Sequence, residues 1–164
     1  MNDYETHAPV LNFLMKELVP LRILEFGLGN YSTPILLSGI AKVESIEMQS
    51  QEWFDLIRIK FKDKENWCPY IALGPFEYKK IPLGIKYDFI LVDGHGDSRW
   101  DCVNSMFSKS DVIVAHDTET ASYNWDRIVC KDGFEKITYK KLNPYTSIWA
   151  NNKDLIQKLK KFCE

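Results

Sequence analysis

The chain has 164 residues, of which 45% are hydrophobic and 27% are charged, a mixture typical of a single globular domain over residues 1–164 rather than of a disordered or fibrous protein. Its formal net charge is −2 and it has no basic stripe, so a nucleic-acid substrate is not expected. No apolar run is long enough to span a membrane, residues 1–5 lack the features of a signal peptide, and the four cysteines form no CxxC pair, so we expect a cytoplasmic protein with reduced thiols.

Short apolar runs alternate with amphipathic ones, the pattern of strand–helix units around a parallel sheet. In chain order the pattern predicts a helix at 6–18, a strand at 21–26, a helix at 34–40, a strand at 42–47, a helix at 50–62 and a strand at 68–73. Two prolines and two glycines argue against a regular helix over residues 74–87. There follow a strand at 87–93, a helix at 98–108, a strand at 111–115, a helix at 123–131, paired strands at 136–140 and 146–150, and a helix at 154–162. The sequence therefore predicts five strand–helix units and a final antiparallel hairpin, with ligands bound at the carboxyl ends of the strands.

A glycine-rich turn follows the first predicted strand. Gly27 and Gly29 let the backbone turn tightly and approach a ligand, although glycines that serve packing alone are the alternative. Ser32 replaces the third glycine of GxGxxG, and we expect Ser32 and Thr33 to cap the next helix. The carboxylate of Glu25 would repel a pyrophosphate but could accept hydrogen bonds from a cationic amino group. The turn therefore favours a zwitterionic ligand over a dinucleotide, and it argues against a nucleotide-dependent oxidoreductase.

An acidic residue ends the second predicted strand. Glu47 lies about 20 residues beyond the glycine turn, the spacing at which a carboxylate receives the hydroxyls of a ribose. Met48, the next residue, could lie against a purine ring. A solvated surface glutamate is the alternative.

Acids and histidines follow the fourth and fifth predicted strands, which would be neighbours in a parallel sheet. Three interpretations remain open. Asp93, His116 and Asp117 could hold Mg²⁺ or another divalent ion. His95 or His116 could instead act as a general base, since imidazole titrates near neutrality. In the third interpretation the aspartates only cap the following turns and the histidines are exposed.

Together these residues resemble class I S-adenosylmethionine-dependent methyltransferases, in the small branch similar to sugar and catechol-type O-methyltransferases. The resemblance lies in residues 22–33, 43–47 with Trp53, 87–94 and 111–118. It implies an α/β fold of the Rossmann-like class I methyltransferase type. In that fold a mostly parallel seven-stranded sheet ends in an antiparallel hairpin and carries helices on both faces.

The resemblance also implies roles for single residues. Glu25, Gly27 and Gly29 would lie around the methionine moiety of the cofactor, Glu47 at the ribose, Met48 at the adenine and Asp93 near the sulfonium. Ser32 is a further candidate for cofactor binding. In metal-dependent members, the counterparts of Asp93, His116 and Asp117 hold a divalent cation, but the histidine departs from the usual Asp-Asp or Asp-Asn pair.

The activity that the resemblance implies is O-methylation of a small hydroxylated acceptor. The chain lacks the Asn/Asp-Pro-Pro-Tyr/Phe signature of base methylation, which argues against an N-methylating nucleic-acid enzyme. Asp93, His95 and His116 are the candidate catalytic residues. Aromatic side chains, among them Trp53 and Tyr123, could line the acceptor pocket, although core packing is the alternative. A non-catalytic module that binds the same cofactor is the competing function.

Overall fold

The computed structural model of this protein describes residues 5–164. Most of the segment 1–5, which is expected to lack the features of a signal peptide, therefore lies outside the described residues. The strands are β1 (Arg22–Phe26), β2 (Lys42–Glu47), β3 (Trp67–Ile71), β4 (Phe89–Val92), β5 (Val112–His116), β6 (Glu135–Tyr139) and β7 (Thr146–Ala150). The α-helices are α1 (Ala8–Leu18), α2 (Ser32–Leu36), α3 (Gln51–Lys60), α4 (Arg99–Met106) and α5 (Lys153–Cys163).

All seven strands belong to one sheet, in the order β3-β2-β1-β4-β5-β7-β6. Strands β1 to β5 are parallel, whereas β7 runs antiparallel between β5 and β6. The chain moves outward from β1 to β3 and then returns to place β4 on the other side of β1. This reversal of strand order makes the carboxyl ends of β1 and β4 the expected place for a ligand. The predicted mostly parallel sheet with a terminal hairpin is confirmed.

Both faces of the sheet are covered, because the central strands are apolar on both sides. One core joins the sheet to α1, α2 and α5, and its helical members include Leu11, Leu36 and Leu159. The other face packs against α4 through Val103 and Met106. Burial on two faces explains why β4 is apolar throughout. No helix within residues 5–164 has the length and apolar character needed to cross a membrane.

The helix predicted at 123–131 is wrong. That segment holds two 3₁₀ turns, Ala121–Tyr123 and Trp125–Arg127, separated by Asn124 in a left-handed conformation at φ 57°. Trp125 donates its indole N–H to the carbonyl of Asp117 at 3.1 Å, which ties the segment to the end of β5. Tertiary contacts at the end of the sheet have therefore replaced the local helix. The segment at 74–87 forms only the short 3₁₀ turn Glu77–Lys80, as the prolines and glycines indicated.

Candidate functional site

A cleft of about 740 Å³ lies at the carboxyl ends of β1, β2, β4 and β5, which is the reversal point of the sheet. Its volume is in the range of small-molecule and cofactor sites. The side chains and backbone that line it come from His7, Gly27, Leu28, Gly29, Asn30, Tyr31, Ser32, Glu47, Gln49, Trp53, Asp93, Arg99, His116, Asp117, Tyr123 and Pro144. The predicted residues Gly27, Gly29, Ser32, Glu47, Asp93, His116 and Asp117 are all among them.

The glycine turn forms the wall between the ends of β1 and β4. Gly27 has φ +86°, and a Cβ at this position would lie 2.4 Å from the carbonyl oxygen of Asp93. Its N–H donates to Ile46 at 2.8 Å. Only a glycine allows the two strand ends to approach this closely, so the wall presents backbone rather than side chain to a ligand.

Glu25 lies beneath the glycine turn and does not line the cleft, in contrast to the expectation that it contacts a ligand directly. Its carboxylate accepts hydrogen bonds from the hydroxyls of Ser32 at 2.7 Å, Ser45 at 2.6 Å and Thr33 at 3.0 Å. Thr33 in turn accepts from the N–H of Gly29 at 3.0 Å. Ser32 and Thr33 therefore do not cap α2, as the sequence predicted, but connect Glu25 to the turn. Complete burial raises the pKa of Glu25 to about 7, although the three hydroxyl donors oppose the rise.

Glu47 lines the cleft, and only one of its two carboxylate oxygens has hydrogen-bond partners among residues 5–164. Its Oε1 accepts from the backbone N–H groups of Gln49 at 2.8 Å and Ser50 at 3.0 Å, which fixes the side chain. Its Oε2 receives no hydrogen bond from residues 5–164 and is available to a ligand hydroxyl. Trp53 closes this end of the cleft and donates its indole N–H to Leu28 at 2.7 Å. Glu47 thus lies in the cleft at the strand end where the sequence predicted a ribose site, and its role stays a prediction.

Two more of the predicted residues lie outside the cleft. Met48 is fully buried in the core and does not line the cleft, and its sulfur would lie 2.6 Å from a Cβ on Gly94. His95 lies on the loop after β4, where its Nδ1 accepts from Asp97 at 3.3 Å. Because His95 does not line the cleft, it is poorly placed to act as the general base.

Arg99, which sequence analysis did not single out, binds both predicted aspartates. Its Nη2 lies 3.0 Å from Oδ1 of Asp93, and its Nη1 lies 2.8 Å from Oδ2 of Asp117. The guanidinium also lies 4.5 Å from the ring of Tyr123. Burial would raise the pKa of Asp93, but Arg99 and His116 together lower it to about 2. Asp93 is thus an ionised carboxylate held by a buried arginine.

His7 and His116 form a pair at the same end of the cleft, with their rings edge to face and the centroids 4.6 Å apart. Nε2 of His116 is 2.8 Å from the hydroxyl of Thr6, and its Nδ1 is 3.4 Å from both Asp93 and Asp117. Burial would lower the pKa of His116, but the hydrogen bond to Asp93 and the two negative charges raise it. His7 differs, because both of its ring nitrogens are buried without a hydrogen-bond partner among residues 5–164. Burial lowers the pKa of His7 to about 4, so its ring is neutral at neutral pH.

The predicted divalent-ion site at Asp93, His116 and Asp117 does not fit a metal in this structure. Arg99 already holds one oxygen of each aspartate. Donor atoms of His7, Asp93 and His116 lie within 4.8 Å of one another, a separation that could admit an ion. However, the Asp93 oxygen that faces His116 is the same oxygen that Arg99 binds. A cation placed there would meet the guanidinium charge.

Comparison with known proteins establishes the fold. No protein-family model and no curated protein matches this chain. Among solved structures, an O-methyltransferase from Bacillus cereus in complex with SAH is similar with a TM-score of 0.66 and 16% identity, over 88% of this chain and 80% of that one. The O-methyltransferase TomG from Streptomyces achromogenes, involved in tomaymycin synthesis and in complex with SAM, gives 0.69 and 12% over 88% and 79%. A methyltransferase-like protein from Silicibacter pomeroyi gives 0.59 and 14% over 96% and 93%. The chain therefore has the class I methyltransferase fold, as its sequence resemblance implied.

Proposed function

We propose that this protein transfers a methyl group from S-adenosylmethionine to an oxygen atom of a small hydroxylated acceptor. The observation that carries the proposal is the position of the cleft. It lies at the reversal point of a class I methyltransferase sheet, with the free oxygen of Glu47 at one end and the ring nitrogens of His7, unpaired within residues 5–164, at the other. The solved structures of similar fold, which include an O-methyltransferase with SAH and another with SAM, support this assignment.

The cofactor end of the cleft is formed by Gly27, Gly29, Ser32 and Glu47. The backbone of the glycine turn makes room for the methionine moiety, and Glu25 acts indirectly by fixing Ser32 and the N–H of Gly29 through Thr33. Oε2 of Glu47 accepts from ribose hydroxyls. When bound, S-adenosylmethionine supplies a sulfonium methyl group that is already a good electrophile.

The chain must then orient the acceptor oxygen and receive its proton. We assign this role to His7, which lines the cleft, is neutral at neutral pH and has ring nitrogens that no group of residues 5–164 engages in a hydrogen bond. Burial also makes it a weak base in the free protein, with a pKa of about 4, so the acceptor hydroxyl must reach a buried ring nitrogen and pass its proton there as the methyl group is transferred. The raised pKa of His116 favours its charged form, which balances Asp93 and Asp117. Asp93 and His116 are thus positioning residues around the acceptor, and His7 is the base.

Calorimetry with S-adenosylmethionine, S-adenosylhomocysteine and NAD tests the cofactor. We expect the first two to bind with a stoichiometry of one and NAD not to bind. Binding of NAD alone would refute the proposal. Product formation across a panel of small hydroxylated acceptors then tests the reaction, and binding without any transfer would favour the non-catalytic module.

Glu47→Gln is expected to weaken S-adenosylhomocysteine binding by about 2 kcal/mol, or roughly thirtyfold in Kd. The amide oxygen can keep the two backbone hydrogen bonds of Oε1, but an NH₂ group then replaces the oxygen that accepts the ribose hydroxyls. Calorimetry measures the change. Glu52→Gln, an exposed substitution in the first turn of α3, is the matched control and should bind as the unmodified protein does. Equal affinities for all three proteins would remove Glu47 from the site.

His7→Leu is expected to stabilise the free protein while it slows transfer. A neutral imidazole with two buried nitrogens that lack partners in the described chain costs desolvation free energy, so its removal should raise the free energy of unfolding at pH 7 by about 1 kcal/mol. Loss of the base should lower kcat about a hundredfold. Urea unfolding and acceptor kinetics measure the two effects, with His95→Leu as the control outside the cleft. A destabilised variant with normal kcat would assign His7 to packing.

A further inference from the structure

Five oxygen atoms converge on the side chain of Arg99. Two belong to carboxylates at neighbouring strand ends, Oδ1 of Asp93 at 3.0 Å and Oδ2 of Asp117 at 2.8 Å. Three are backbone carbonyl oxygens, those of Gly94 and His116 at 3.0 Å and of Asp93 at 3.4 Å. A guanidinium has five N–H donors, so the number of oxygens matches the number of donors.

Oxygens of this chemical type are also what a hard divalent cation selects, although here they are spread over the three nitrogens of the guanidinium. Mg²⁺, Mn²⁺ and Ca²⁺ take carboxylate and carbonyl oxygens as ligands. In this protein the guanidinium of Arg99, and not a metal ion, is bound by these oxygens. Arg99 is the first residue of α4, and its side chain lies at the ends of β4 and β5. The side chain is 7% exposed, and the ring of Tyr123 lies against it 4.5 Å away.

The charges of this group are also balanced without a metal ion. Asp93 and Asp117 contribute two negative charges, Arg99 contributes one positive charge, and His116 lies 3.4 Å from both carboxylates. A divalent ion added to this group would approach a fixed guanidinium of like charge.

We propose that Arg99 is a built-in cation that occupies the position of a divalent ion at the ends of β4 and β5. Its removal would leave the carboxylates of Asp93 and Asp117 without their guanidinium partner and open to Mn²⁺ or Mg²⁺. The inference does not depend on methyl transfer, since it concerns only which cation the chain holds.

Titration with MnCl₂, followed by calorimetry and by the electron paramagnetic resonance signal of free Mn²⁺, tests the proposal. We expect the unmodified protein to show no saturable binding. Arg99→Ala should bind one Mn²⁺ per chain with a Kd on the order of 10⁻⁴ M, the range of modest oxygen-ligand sites. The gain should disappear when Asp117→Asn is added to Arg99→Ala. Arg127→Ala, which removes an exposed arginine that packs on Trp100, should behave as the unmodified protein.

Saturable binding of Mn²⁺ or Zn²⁺ by the unmodified protein that is lost in Asp93→Asn would overturn the proposal. So would equal Mn²⁺ affinity of Arg99→Ala and the unmodified protein. If Arg99→Ala is unfolded without metal, Mn²⁺ should restore its thermal transition, and a failure to do so counts against the proposal. Cofactor and acceptor are absent from these titrations, so their outcome is separate from that of the methyl-transfer experiments.

Discussion

Gly27→Ala is expected to lower the free energy of unfolding by about 3 kcal/mol and to abolish ligand binding. A residue with a side chain at φ +86° costs about 1 kcal/mol in backbone strain. The new Cβ would also lie 2.4 Å from the carbonyl oxygen of Asp93 and 2.8 Å from Cα of Gly94, and overpacking of this kind costs about 2 kcal/mol. Both neighbours are backbone atoms, so relief requires the end of β4 to move away from β1. Urea unfolding and calorimetry with S-adenosylhomocysteine measure the two effects.

Gly133→Ala is the matched control, because Gly133 has nearly the same backbone angle, φ +88°, and no neighbouring atom of residues 5–164 lies within 4 Å of the place that a Cβ would take. The free energy of unfolding of Gly133→Ala should fall by about 1 kcal/mol, which is the backbone strain alone, and the variant should bind ligand normally. The difference between the two variants then measures the contact between the ends of β1 and β4. Equal losses in both would show that the strand ends can separate freely.

Glu25→Gln is expected to change the pH dependence of stability by about 3 kcal/mol between pH 4.5 and 7. The pKa of Glu25 is raised by burial from 4.5 to about 7, so between these values the folded protein holds a proton that the unfolded chain has released. The contribution of this group is therefore most favourable below pH 4.5 and is lost as the pH rises to 7. Glutamine cannot titrate and lacks this dependence.

The quantity to compare is the difference in unfolding free energy between the variant and the unmodified protein at each pH. This matters because His7 acts in the opposite direction. Its pKa is lowered to about 4, so its contribution is lost as the pH falls through the same range. The difference should shift in favour of Glu25→Gln as the pH rises, whereas the exposed substitution Glu65→Gln controls for the loss of one carboxylate. A difference that stays constant with pH would mean that Glu25 ionises normally in the folded protein.

Local pattern was sufficient to predict most of the fold. The apolar run of β4 and the amphipathic spacing of α3 can each be read from the residues of that segment alone, and both segments contain buried residues. The helix expected at 123–131 failed because its residues are held by distant groups. Asn104 of α4, for instance, accepts from the N–H of Val129 at 3.0 Å. Contacts of that kind leave no periodic signal in the segment.

The sequence placed the glycine turn and the strand ends at one edge of the sheet, and the structure brings Gly27 and Glu47 together in the cleft there. The direction of individual side chains could not be predicted. Glu25 pairs in register with Ser45 and so faces the buried hydroxyls rather than the cleft, and Met48 turns into the core. Arg99 was missed because an arginine in the first turn of a helix is usually solvated. His7 was missed because it precedes an ordinary amphipathic helix and meets His116 only through the tertiary fold. A search for acids that need a counter-charge could have found Arg99.

The hydrogen bond between Thr6 and His116 joins positions 110 residues apart. The wall of the cleft that includes His7 is therefore completed only after the end of β5, 110 residues beyond Thr6, has been synthesised. Contacts with such a large sequence separation form slowly because a long loop must close first. A ligand that bridges both ends of the cleft stabilises only the state that binds it. Such a ligand cannot guide the folding of the residues that precede β5 while the chain is on the ribosome, and it protects the molecule only after β5 has emerged.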